Sequence, residues 1–113
     1  MELDIQKILT TAVKYKASDV YISVGIKPSL RIHGQLVPIE EHPILSKTMA
    51  QEYISAIMTD QQKEAFTKTC DLDFAIDIKG LSRFRVNIFM QSKGIGAVLR
   101  VIEEEIKSID ELN

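Results

Sequence analysis

The sequence predicts an α+β domain, an antiparallel sheet of about six strands with helices on one face. Apolar residues recur at helical spacing near the N-terminus and again in the middle of the chain. Strict two-residue alternation fills residues 71–78 and 82–91, and turn residues punctuate short strand-like runs elsewhere. The order that results is helix, three strands, two helices, three strands.

Ile5, Ile8, Leu9, Ala12 and Val13 share one helical face, so residues 4–16 form an amphipathic helix with Asp4 as its N-cap. Ala17-Ser18-Asp19 ends it. Residues 20–24, 29–32 and 35–39 read as short strands of a meander, joined by a turn at Gly25-Ile26-Lys27-Pro28 and a tight hairpin at His33-Gly34. A loop containing Pro43 follows. Ser46 then caps a helix whose apolar positions are Met49, Tyr53, Ile54, Ile57 and Met58. Thr59-Asp60-Gln61-Gln62 is a capping box that starts a third helix reaching about Lys68. The methionines read as core filling.

The last three strands carry a register that the residues themselves fix. Leu72, Phe74, Ile76 and Ile78 form one apolar row, and Phe84, Val86, Ile88 and Met90 the next. Because side chains alternate faces, the rows share a face only if paired positions sum to an even number. That excludes a two-residue turn at Lys79-Gly80 and sets Ile78 opposite Ser82, Asp77 opposite Arg83, Ala75 opposite Arg85 and Asp73 opposite Asn87. For the final strand the apolar row is Ile95, Ala97, Leu99 and Val101. Matching it demands an odd sum, which a two-residue loop at Ser92-Lys93 supplies. Arg85 then faces Arg100. Like charges directly opposite each other destabilise a strand pair, and paired guanidiniums match phosphate oxygens in charge and fork geometry. The pair therefore reads as a phosphate clamp. The alternative is that the guanidiniums stack in solvent, or that a carboxylate from a neighbouring segment pairs with them. Arg83 already has Asp77 as a local partner.

Composition narrows the function classes. At 113 residues the chain is one domain with one core; 45% of it is apolar and 27% charged, the balance of an ordinary soluble chain. A net charge of -2 with both signs interspersed argues against nucleic-acid binding. No apolar run approaches membrane-spanning length, and Met1-Glu2-Leu3-Asp4 lacks the features of a signal peptide, so a cytoplasmic location is expected. Cys70 stands alone, which excludes an internal disulfide and a thiolate zinc cluster, and it reads as structural. His33 and His42 lack metal-ligand spacing. The sequence contains no phosphate loop, metalloprotease helix or nucleophile elbow. Gly94-Ile95-Gly96 opens a strand and has no third glycine, so it is not a dinucleotide fingerprint. Asp71 and Asp73 lie on the polar sheet face, where solubility accounts for them. On its own, the chain is not expected to be an enzyme.

Beyond the last strand, residues 103–107 form a charged connector. Ser108-Ile109-Asp110-Glu111 is another capping box, a helix start from which a fragment of a longer protein is expected, with a short frayed C-terminal turn as the alternative.

Several segments together resemble a known family. They are Ala17-Ser18-Asp19-Val20, Gly25 with Pro28, Arg31-Ile32-His33-Gly34, Met58-Thr59-Asp60-Gln61-Gln62, Arg83-Phe84-Arg85-Val86-Asn87 and Gly94-Ile95-Gly96-Ala97-Val98-Leu99-Arg100. Their order and spacing are similar to the N-terminal domain of the type IV pilus retraction ATPases, the PilT and PilU twitching-motility family. The chain departs at Tyr21, where the family often has histidine, and at Lys27, where a second proline is common. In addition, Val101-Ile102-Glu103 stands where the PilT type has a proline.

The resemblance implies a PAS-like fold over residues 1–102 and, over 103–113, a linker toward a RecA-like motor domain absent from the chain. It implies a hexamer in which this domain packs on the motor domain of the neighbouring subunit and its arginines close over the ATP phosphates. Arg85 and Arg100 are the residues carried over, with Arg83 a weaker third. It implies no cofactor or catalytic residue in the isolated domain, and ATP and Mg in the full-length hexamer. The expected setting is the cytoplasmic face of the inner membrane, with the pilus platform protein as partner and neither nucleic acid binding nor membrane insertion. Two other readings stand beside it, a stand-alone PAS-like sensor of a small ligand and the equivalent domain of a pilus-assembly or type II secretion ATPase.

Overall fold

The computed structural model describes the backbone of residues 3–102 and the side chains of residues 5–102. The expectations for residues 103–113, and for capping by the Asp4 side chain, lie outside the described residues. The elements are α1 (Leu3–Lys14), β1 (Asp19–Ser23), β2 (Ser29–Ile32), β3 (Gln35–Pro38), α2 (Lys47–Ser55), α3 (Asp60–Thr69), β4 (Asp71–Ile78), β5 (Ser82–Gln91) and β6 (Gly94–Ile102). The expected order of elements is the observed one.

Local chemistry sets the helix ends. Ser46 Oγ accepts from the Met49 amide at 3.1 Å and caps α2. At α3 the capping box is reciprocal, with the Gln62 amide donating to Thr59 Oγ1 at 3.1 Å and the Thr59 amide to Gln62 Oε1 at 2.9 Å. Helix α1 closes two residues earlier than expected. Its last turn is a Schellman motif in which the Ala17 amide bonds the Ala12 carbonyl and the Lys16 amide the Val13 carbonyl. Lys16 sits there with φ 59°, a left-handed position that usually goes to glycine. Helix α2 stops at Ser55, so Ile57 and Met58 pack on the core from the turn that follows rather than from the helix.

All six strands form one antiparallel sheet in the order β3-β2-β1-β6-β5-β4. The register derived for the last three strands is observed pair for pair, including Ile78 opposite Ser82, Gln91 opposite Gly94 and Arg85 opposite Arg100. The Lys79-Gly80-Leu81 connection closes through a Leu81 amide to Ile78 carbonyl bond, with Gly80 at φ 79° as a type II turn requires. At Gly96 an added Cβ would lie 2.8 Å from both Phe89 Cε1 and Gln91 Nε2. This glycine is there for close approach on the sheet, which fits the rejection of a nucleotide fingerprint.

The helices pack on one face, α1 against β1, α2 against β6 and α3 at β4. Leu9, Val20, Ile22, Ile54, Phe84, Val86, Ile88 and Leu99 are fully buried between the layers. Met49 and Met58 pack against this core as expected, but Met90 is 49% exposed, so core filling does not describe it. Depressions of about 810 Å³ beside Thr48, Glu52 and Lys63, and of about 640 Å³ between α1 and the Ile76–Ile78 end of β4, open at the surface of the helical layer. Among the described residues no helix covers the opposite sheet face, and that face holds every sequence-predicted site residue.

Candidate functional site

The open face follows from strand parity. With Val20, Ile22, Leu30, Phe84, Val86, Ala97 and Leu99 turned to the core, the intervening residues of each strand point outward. One outward row runs across the sheet through Ala75, Arg85, Arg100, Asp19, Arg31 and Leu36, each directly opposite the next.

Arg85 and Arg100 are thus brought together as the sequence requires, but they are not left without acidic partners. The Arg100 Nε–H donates to Asp19 Oδ1 at 3.1 Å. Arg85 Nε lies 3.5 Å from Asp73 Oδ1. The absence of an acidic partner for the pair is therefore corrected: the alternative, that carboxylates from neighbouring segments pair with the guanidiniums, is the observed arrangement, and the order along the row and its diagonal is carboxylate, guanidinium, guanidinium, carboxylate. Asp73, assigned to solubility from the sequence, is one of the two counter-charges. The other was missed because Asp19 belongs to β1, not to the end of the preceding helix, and β1 lies beside β6 although 81 positions separate Asp19 from Arg100. The alternation of Asp19, Tyr21 and Ser23 with Val20 and Ile22 places Asp19 on the outward row. Nothing local in the sequence says which strand β1 joins.

The two counter-charges differ in burial. The Asp19 side chain is 7% exposed and that of Asp73 is 52%. Asp19 is also held by the Ser18 hydroxyl, which donates to Oδ2 at 2.9 Å, and has Arg31 Nε at 3.9 Å. Arg31 in turn donates to the Tyr21 hydroxyl at 3.1 Å and the Gly34 carbonyl at 3.2 Å, and its guanidinium lies 5.4 Å from the centre of the Tyr21 ring. The Tyr21 hydrogen bond, foremost, raises the Arg31 pKa above its ordinary value.

Arg85 and Arg100 keep side-chain exposures of 66% and 70%. Among the described residues, neither donates a hydrogen bond through its Nη atoms. Arg83 faces Asp77 in register, yet no ion pair joins them among the described residues, so the expected contact is one of position only. Overall the outward strand positions hold Arg31, Arg83, Arg85 and Arg100 against Asp19, Asp71, Asp73 and Asp77. The face is electrically balanced, but its two central guanidiniums are about two-thirds exposed and make no hydrogen bond through their terminal nitrogens among the described residues. Such an arrangement adds positive charge to an anion presented to it and is poorly suited to capturing a free one.

The other sequence candidates sit apart from this row. Cys70 is exposed and caps α3 with φ 59°. His33 lies in the β2–β3 turn at φ 51°. His42 Nδ1 is 2.7 Å from the Pro43 carbonyl and therefore carries the hydrogen, leaving Nε2 to the Tyr53 hydroxyl at 2.7 Å. Among the described residues no group of three or more His, Cys, Asp and Glu is arranged to hold a metal ion. Nor is any described helix long and apolar enough to cross a membrane.

Comparison with known proteins gives a consistent set of relatives. No protein-family model matches the chain. It is 34% identical over 110 residues to the type IV pilus ATPase PilU of Pseudomonas aeruginosa and 36% identical over 110 residues to the type IV pilus retraction ATPase PilT of the same organism. It is 31% identical over 108 residues to a twitching motility protein of Neisseria gonorrhoeae. These alignments take in 97%, 97% and 96% of the chain but only 28%, 32% and 29% of the relatives, so the chain spans about a third of their length or less. Among solved structures, the pilus retraction motor PilT with bound ADP superposes at a TM-score of 0.79 and 26% identity, over 93% of the chain and 29% of that structure. The Legionella pneumophila ATPase DotB, at 21% identity and a TM-score of 0.77 over 97% of the chain and 32% of that structure, shares the fold.

Proposed function

Because this chain belongs to the PilT and PilU family of type IV pilus ATPases, as its N-terminal domain, we propose that it presents Arg85 and Arg100 to the terminal phosphates of ATP held by the motor domain of a neighbouring subunit. One observation carries the reading. The β5–β6 register sets the two guanidiniums opposite each other on the outward face of the sheet, Arg100 hydrogen-bonded through Nε and Arg85 ion-paired with Asp73, with no hydrogen bond from the Nη atoms of either among the described residues.

The chemistry follows from charge. Phosphoryl transfer spreads negative charge over the terminal phosphate oxygens, and an arginine aimed at them stabilises that charge without forming or breaking a bond to the substrate. ATP and Mg belong to the motor domain, which lies outside this chain; here the residues supply binding and charge. The balance of the open face supports a role in trans. An isolated domain with matched charges has little long-range pull on free nucleotide, whereas packing against a loaded motor domain brings the phosphate to the exposed Nη atoms. A homohexamer meets that need, since each domain then serves its neighbour's site. Arg83, whose register partner Asp77 forms no ion pair with it, is a subsidiary contact. In this reading residues 1–102 are the domain and 103–113 its link to the motor, and the machine works at the cytoplasmic face of the inner membrane against the pilus platform protein.

The test is ATP turnover of the full-length protein with Arg85→Ala or Arg100→Ala. Turnover falls at least tenfold, and toward the roughly 10³ to 10⁵ of a full arginine finger. Unchanged turnover in both variants would remove the assignment.

A further inference from the structure

We infer that Asp19 is a positioning residue for Arg100, fixing its guanidinium by the Nε edge so that the Nη atoms face outward; this rests on the reading of the arginine pair just given. A buried carboxylate is costly unless paired and hydrogen-bonded, and surface charge for solubility does not require burial. Asp19 is nevertheless 5% exposed on a sheet face that no helix among the described residues covers. Both its oxygens are engaged, Oδ1 by Arg100 at 3.1 Å and Oδ2 by the Ser18 hydroxyl at 2.9 Å, with Arg31 at 3.9 Å.

The two arginines beside it are treated differently. Arg31 spends its Nη donors on the Tyr21 hydroxyl and the Gly34 carbonyl, which makes it a fixed part of the scaffold. Arg100, among the described residues, donates a side-chain hydrogen bond through Nε alone. A free arginine samples many rotamers and loses that freedom when it meets a phosphate. Holding Nε in advance removes part of the loss and leaves the fork available. Arg85 has no equivalent support, because Asp73 is half exposed and its 3.5 Å ion pair is open to solvent competition. The anchoring is therefore specific to Arg100.

The experiment is a double-mutant cycle in the full-length protein, reading kcat and KM for ATP in wild type, Asp19→Asn, Arg100→Ala and the double variant. Asparagine retains an acceptor for Nε but not the charge. Asp19→Asn lowers kcat about tenfold, the scale of a weakened charge-assisted hydrogen bond, with KM changed less than about threefold. In the Arg100→Ala background the same substitution lowers kcat no further, since the residue acts through Arg100. Should Asp19→Asn not fold, Ser18→Ala loosens the same carboxylate from an exposed position. It lowers kcat by about twofold to threefold, and only when Arg100 is present. A kcat unaltered by Asp19→Asn, or an effect that multiplies with Arg100→Ala, overturns the inference while a deficit in Arg100→Ala alone keeps the arginine reading intact. An Arg100→Ala variant with full turnover instead overturns the role of Arg100 itself.

Discussion

Arg85 and Arg100 stand opposite each other because the two-residue turn at Ser92-Lys93 imposes an odd register, and each has a carboxylate on its far side. Those carboxylates relieve the like-charge contact that the pairing creates. Because Arg85 and Asp73 are both mostly solvated, their ion pair contributes little to folding. Arg85→Ala should change the unfolding free energy by less than about 1 kcal/mol in urea titrations, so its loss of turnover reports on chemistry and not on folding. Arg100→Ala should cost more, since it removes the 3.1 Å partner of the buried Asp19 carboxylate; a larger loss of stability in Arg85→Ala would mean that this arginine is a structural member of the sheet. At this scale the sequence revealed the arginines, through period-two parity, but not Asp19. A side chain that follows Ala17-Ser18 at the close of a helix reads as a stop signal, and its salt-bridge partner lies on a strand at the far end of the chain.

Elements bounded by local chemistry were legible, and elements placed by long-range pairing were not. The capping box at Thr59 and the N-cap at Ser46 act within three residues, and both are present. The β4-β5-β6 meander is equally local, because each short turn transmits its parity to the next strand. The adjacency of β1 and β6 has no turn to announce it and is settled only when the two halves of the sheet bury their apolar rows together. The ends of α1 and α3 show the converse error, since Lys16 and Cys70 occupy left-handed positions that a sequence reader assigns to glycine. Lys16→Gly should stabilise the chain by roughly 0.5–1 kcal/mol by relieving that conformation. Thr59→Ala should destabilise it by about 1 kcal/mol through loss of the cap. Thermal unfolding separates the two, and a Lys16→Gly protein that melts below wild type contradicts the account of the α1 terminus.

At the scale of the molecule, the described helices lie on one face and leave the other a charge-balanced strand surface on which, among the described residues, Arg83, Arg85 and Arg100 donate no hydrogen bond through their Nη atoms. That balance has a consequence for the isolated chain, which titration calorimetry with ATP should show to bind in the millimolar range or not at all. Micromolar binding would point instead to a self-sufficient ligand site and revive the small-ligand sensor reading. The fold class was legible because alternation and helical spacing report which face each element buries. The function was not legible from composition, and it came from the sequence only through the family resemblance; in the proposed reading half of the site belongs to a neighbouring subunit.

The most direct test is subunit mixing in the full-length protein. One variant carries Arg85→Ala and Arg100→Ala with an intact phosphate loop, the other has a disabled phosphate loop with both arginines present. If the arginines act across the subunit boundary, two inactive preparations recover ATP turnover when assembled together, since some interfaces then join a working phosphate loop to a working arginine pair. Mixed assemblies that stay as inactive as their parents would contradict action in trans.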